Sequence, residues 1–110
     1  MTRIYHIATA DAASRAEQTG QYFPEAFGSE GFIHCSYKHQ LAGVIQRFFR
    51  GKSGLVLFEI DQTRIDAKII DENLEGGSEL FPHVYGVLPM SAVVGVHDLD
   101  RGLSSVTDPS

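Results

Sequence analysis

The sequence predicts one α+β domain with a mixed, mainly antiparallel β core and two helices, and three observations predict it. Leu55-Val56-Leu57-Phe58-Glu59-Ile60-Asp61 is a nearly continuous apolar run, typical of a central strand buried on both faces. Leu41, Val44, Ile45 and Phe48 recur at helical spacing. The elements follow the order β-α-β-α-β-β-β-β, without the regular alternation of a doubly wound sheet.

Ile4 to Ala8 reads as the first strand. Thr9 then caps a short helix over residues 11–17, with Asp11 in the first turn and Gly20 as the stop. Residues 21–30 read as a loop whose aromatics Tyr22, Phe23 and Phe27 suit a lid. Gly31 to Cys35 is the second strand, and Ser36 is the expected cap of a helix over residues 37–50, which Gly51-Lys52-Ser53-Gly54 ends. After the central strand, residues 67–70 form a short strand and residues 71–79 an exposed, acidic, glycine-containing loop. Phe81 to Val87 and Ala92 to His97 supply two last strands. The division is a single domain over residues 1–100 and a flexible tail over 101–110.

At 110 residues the chain suits one core, and its 43% hydrophobic and 21% charged content is that of an ordinary globular protein. A net charge of −5 with nine scattered Lys and Arg gives no basic field, which argues against extended nucleic-acid binding. A small anion needs only a few local donors, so a small-molecule nucleotide or metabolite is the expected partner. The single cysteine, Cys35, excludes an intramolecular disulfide and fits a reducing compartment. With neither a signal-like N-terminus nor an apolar run of spanning length, the expected location is cytoplasmic, with no membrane partner. Oligomeric state is left open.

Three histidines sit in strand-like words: Tyr5-His6-Ile7, Phe32-Ile33-His34-Cys35-Ser36 and Phe81-Pro82-His83-Val84-Tyr85. Period-two geometry puts His34 with Ser36 on one face, and Phe81, His83 and Tyr85 on one face. One such histidine is ordinarily a hydrogen-bonded core or rim residue. Three together point to a site, with convergence of His6, His34 and His83 in one cleft as the expectation. A zinc site from the three would make a metal-dependent hydrolase, but no helical ligand pair supports one, and no metal is expected. Adjacent His34 and Cys35 face opposite ways, so they cannot form a nucleophile and base, and Cys35 reads as a small core residue. Gly51-Lys52-Ser53 lacks the phosphate loop's upstream glycine, the position being Gln46, and follows a helix where that motif precedes one.

The three histidine words resemble the DUF952 family of small bacterial and eukaryotic proteins. Gln40, Arg47-Phe48-Phe49, the Leu55–Asp61 run and Glu79-Leu80 before the third word, with Gly86-Val87-Leu88 after it, carry the resemblance further, from about residue 3 to residue 97. That family name implies no particular activity. A more distant similarity is to the tRNA 2′-phosphotransferase branch of the ADP-ribosyltransferase-like superfamily. There a Tyr-His-Gly-Thr word precedes a His-Val-His-Leu-Ser word, a helix and a strand ending in an apolar-Asp pair. The counterparts are Tyr5-His6-Ile7-Ala8, Phe32-Ile33-His34-Cys35-Ser36, the helix through Phe49 and Phe58-Glu59-Ile60-Asp61.

This similarity implies an ADP-ribosyltransferase-like split β core with NAD as cofactor in its cleft. His6 would contact the nicotinamide-side ribose, with His34, Ser36 and His83 beside it and Tyr85 or Tyr22 stacked on the nicotinamide. Breaking the nicotinamide glycosidic bond builds positive charge on the ribose, which a carboxylate stabilises most in the transition state. Glu79 is the candidate catalytic carboxylate with His6, and Glu75 the second. The Gly-Thr after the first histidine is Ile7-Ala8 here, and the phosphotransferase's arginines have no clear match. The alternative is therefore a module that binds a nucleotide or metabolite without turnover.

Overall fold

The computed structural model describes residues 3–23, 31–73 and 79–101. Among them run β1 (Arg3–Thr9), α1 (Ala10–Thr19), β2 (Gln21–Tyr22), β3 (Ile33–His34), α2 (Leu41–Phe48) and β4 (Leu55–Asp61). Then follow β5 (Lys68–Glu72), β6 (Phe81–Tyr85), β7 (Leu88–Pro89) and β8 (Val93–Asp98). The architecture is α+β. The described strands form sheets ordered β1-β4-β8, β3-β6-β5 and β2-β7, with every ladder antiparallel.

The Leu55–Asp61 run is the middle strand of its sheet, paired along its length with β1. Leu57, Phe58 and Ile60 are fully buried, and each such side chain contributes roughly 1.5–3 kcal/mol relative to exposure. On the β8 side the register slips between Glu59 and Ile60, so that Glu59 faces Gly95 and Ile60 faces Val93. The two three-stranded sheets meet through one bridge, in which Tyr5 and Ser36 exchange both backbone hydrogen bonds at 2.8 Å.

Thr9 caps α1 as expected, its hydroxyl accepting from the Ala12 N–H at 3.1 Å. The helix runs to Thr19, further than residue 17, and Gly20 ends it at φ 83, a left-handed conformation that favours glycine. Its buried face is Ala13 and Ala16, small enough to lay the helix close against the core.

The second helix departs from expectation. Ser36 keeps its N–H and C=O in the bridge to Tyr5, so the chain is still extended there and Ser36 is not the cap. Tyr37 precedes a single 3-10 turn, and the Gln40 side-chain oxygen accepts from the Tyr37 N–H at 2.9 Å. The α-helix proper begins at Leu41 and ends at Phe48 rather than at residue 50. Of its apolar stripe only Leu41 is fully buried, and Phe48 is about half exposed.

Two further differences bear on the site. Gln21–Tyr22, expected as loop, pairs with Leu88–Pro89, and Asp71–Glu72, expected as loop charges, complete β5 opposite Phe81 and Pro82. Residues 24–30 of the expected lid, the loop residues 74–78 with Glu75, and the tail beyond Arg101 lie outside the described residues. Among the described residues no helix is long and apolar enough to cross a membrane.

Candidate functional site

Strand alternation decides which histidines can meet. On β1, Ile4 and Ala8 join the larger core cluster with Ile33, Cys35, Phe58 and Val84, while Tyr5 and Ile7 join a second cluster with Leu41 and Leu57. His6 therefore shares the first face. His34 alternates with Ile33 and Cys35, and His83 with Val84, so both turn to the other face as direct cross-strand partners. The expected common cleft of three imidazoles is not formed. One extended backbone separates the His6 ring from the other two, and this parts the ligands of the zinc reading. Among the described residues no group of three or more His, Cys, Asp or Glu is placed to hold a metal ion.

His6 is nevertheless highly organised. Its Nδ1 lies 2.5 Å from the His34 carbonyl oxygen, and its Nε2 lies 2.7 Å from the Tyr22 hydroxyl. The Tyr22 ring meets it edge-on at 5.0 Å between centroids and meets Phe58 at 5.2 Å. Burial drives the His6 pKa down to about 4, the hydrogen bond to the His34 backbone opposes that, and the His34 side chain adds a smaller lowering. The ring is neutral at physiological pH. Burial likewise pushes the Tyr22 hydroxyl well above its ordinary value.

Beside this pair opens a cavity of about 240 Å³. His6, Thr9, Arg15, Tyr22, Phe23 and Phe49 supply its polar and aromatic lining. Arg15 is the charged residue of the lining and makes no ion pair among the described residues. The Lys52 ammonium lies 5.6 Å above the Phe49 ring, adding a second cation at this end of an otherwise acidic chain. Phe23 is half exposed, so the aromatic wall reaches solvent.

The other face carries a closed aromatic group. His34 and His83 rings meet edge-on at 4.9 Å, Phe32 stacks on His83 at 4.2 Å, and Tyr85 lies 5.4 Å from Phe32. Glu72 accepts from His83 Nδ1 at 2.9 Å and from the Tyr85 hydroxyl. These two donors, Tyr85 first, hold the Glu72 carboxyl below its usual range, and the same bond raises Tyr85. His34, His83 and Tyr85 are thus brought together, while Ser36 serves the inter-sheet bridge.

Glu79 stands apart from His6. It lines a separate depression with Tyr37, Gln40 and Asp71, where Gln40 Nε2 donates to it at 3.4 Å and to the Leu80 carbonyl at 2.9 Å. The proposed pairing of His6 with Glu79 is not present in this geometry. The Tyr37 hydroxyl donates to Asp71 at 2.5 Å, and burial together with that carboxylate pushes it up to about 12. Cys35 is buried in the core, as its alternation with His34 implies.

Sequence reasoning passed over Arg15 and Glu72. Arg15 stands on α1 at Ala12+3, so the Thr9 cap and a 3.6-residue period were enough to put it on the face above β1. Glu72 was hidden because a short strand that ends in Asp-Glu reads as a loop.

No curated protein matches the chain. A crystal structure of protein CC0527 from Caulobacter crescentus aligns with a TM-score of 0.79 at 26% identity, over 94% of this chain and 99% of that one. A solution structure of the same protein aligns with a TM-score of 0.76 at 30% identity, over 89% and 84%. Residues 7–96 match the family described as Protein of unknown function (DUF952), and the chain belongs to that family.

Proposed function

We propose that this chain binds a small metabolite of the nucleotide class in the His6–Tyr22 cavity. The observation that carries the reading is the lining itself: an aromatic wall of Tyr22, Phe23 and Phe49 with Arg15, which makes no ion pair among the described residues. Rings stack on such a wall, and a guanidinium receives a phosphate or carboxylate in a bidentate way. At about 240 Å³ the cavity suits one ring and one anionic group rather than a whole dinucleotide. NAD would therefore enter by its nicotinamide ribotide half, with the adenylate outside.

Binding without turnover is the reading adopted. Cleavage of the nicotinamide glycosidic bond by an NAD-using enzyme handling ADP-ribosyl groups needs a carboxylate at the ribose, and Glu79 lines a different depression. Among the described residues lining the His6 cavity there is no Asp or Glu. Calorimetric titration with NAD, nicotinamide mononucleotide and AMP tests the reading. Binding of at least one, weakened tenfold or more by Arg15→Gln, supports it. Binding unaffected by Arg15→Gln and Phe49→Ala contradicts it. Release of nicotinamide from NAD, lost in His6→Ala, would restore the enzymatic reading.

A further inference from the structure

The hydrogen bonds around His6 have a direction that constrains what the cavity accepts. A backbone carbonyl can only accept, so His6 Nδ1, 2.5 Å from the His34 oxygen, must carry the ring proton. Burial keeps the ring neutral, which leaves a lone pair on Nε2. The Tyr22 hydroxyl, 2.7 Å away, must then donate its hydrogen to Nε2. Having spent its one hydrogen, the Tyr22 oxygen has only lone pairs to offer.

We infer that the cavity selects a ligand presenting an N–H or O–H donor to the Tyr22 oxygen and an anion to Arg15, as a ring carboxamide or ring amine on a monophosphate does. The inference rests on the cavity being the ligand site. The reversed arrangement, an acceptor-only group against Tyr22, sets lone pairs against lone pairs. Tyr22 cannot rotate its hydrogen into the cavity without leaving the buried His6 nitrogen unpartnered. The relay is fixed at its far end, because the His34 backbone is itself held in the β3–β6 ladder. Discrimination is therefore set by backbone geometry, and a site built to pair one polar group rejects its mismatched isostere strongly.

Nicotinamide mononucleotide and nicotinic acid mononucleotide differ at one group, a neutral carboxamide with an N–H donor against a negatively charged, acceptor-only carboxylate, and they serve as probes, with Tyr22→Phe separating the donor effect from the charge. Titration of the whole chain is expected to show the amide bound at least tenfold more tightly. Tyr22→Phe should bring the two within about threefold by weakening the amide alone. Nitrogen-15 spectra of the wild-type protein should show His6 protonated at Nδ1, a readout that does not depend on how Tyr22→Phe folds. Equal affinities, tighter binding of the acid, or a ring protonated at Nε2 overturn the donor selection. If both probes bind equally and Arg15→Gln weakens both, the cavity assignment survives that failure. If neither probe binds, the cavity assignment falls and this inference with it.

Discussion

His6 Nδ1 stands 2.5 Å from the carbonyl oxygen of His34, so these two histidines are joined through backbone rather than through their rings. That single contact places the His6–Tyr22 pair behind the sheet that carries His34 and His83. It also makes the state of a buried ring depend on strand pairing at β3.

The burial of His6 predicts a pH-dependent stability. In the unfolded chain the ring takes a proton near 6.5, but in the folded chain only near 4. Between these values the unfolded state binds more protons, so stability is complete above 6.5 and falls as the pH falls toward 4, by about 3 kcal/mol in all. Urea midpoints measured down that range should decline in the wild type and decline less in His6→Gln. Identical slopes in the two proteins would contradict the assignment.

Glu72 and Tyr85 give a spectroscopic prediction. The carboxylate raises the phenol by accepting its hydrogen bond, so Glu72→Gln removes the charge that opposes phenolate formation. An ultraviolet titration should find Tyr85 ionising at lower pH in Glu72→Gln, with Tyr85→Phe identifying its share of the signal. No downward movement would mean that the two side chains do not pair in solution.

Gly86 lies against Ala67 so closely that an added Cβ would sit 2.6 Å from the Ala67 Cβ. Gly86→Ala should destabilise the chain by about 1–3 kcal/mol through overpacking. Ala67→Gly in the same background should recover part of that loss, a coupling that a double-mutant cycle in urea measures. Additive effects would show that the two positions do not touch.

Cys35 is buried in the core, and burial raises its thiol far above the ordinary value. A thiol reagent at neutral pH should label it only at the rate of unfolding, with labelling accelerating as urea approaches the transition. Fast labelling of the native protein would place Cys35 at the surface and reverse the facing of His34.

The parts of the fold legible in the sequence are those with a strong period or a strong cap. The Leu55–Asp61 run, the Thr9 and Gly20 ends of α1 and the alternation that buries Cys35 all appear where the residues put them. Short ladders were not legible, because two residues cannot show a period: Gln21–Tyr22 finds its partner only in Leu88–Pro89, far along the chain. Ser36 misled because a serine before an apolar stripe is ordinarily a cap, whereas its backbone is engaged by Tyr5. For the site, alternation put His83 with Tyr85 and set His34 opposite Cys35, but the pairing of His34 with His83 comes from the β3–β6 ladder and the facing of β1 against β3 from the Tyr5–Ser36 bridge. No local pattern encodes that register, and it is what turns His6 away.

The most direct test of a ligand in the His6–Tyr22 cavity is a nitrogen-15 correlation spectrum of the whole chain titrated with nicotinamide mononucleotide. The account predicts saturable shifts centred on Thr9, Ala12, Arg15 and Tyr22, the residues bordering the cavity. Shifts centred instead on Glu72 and Tyr85, or a spectrum that does not move, would contradict it.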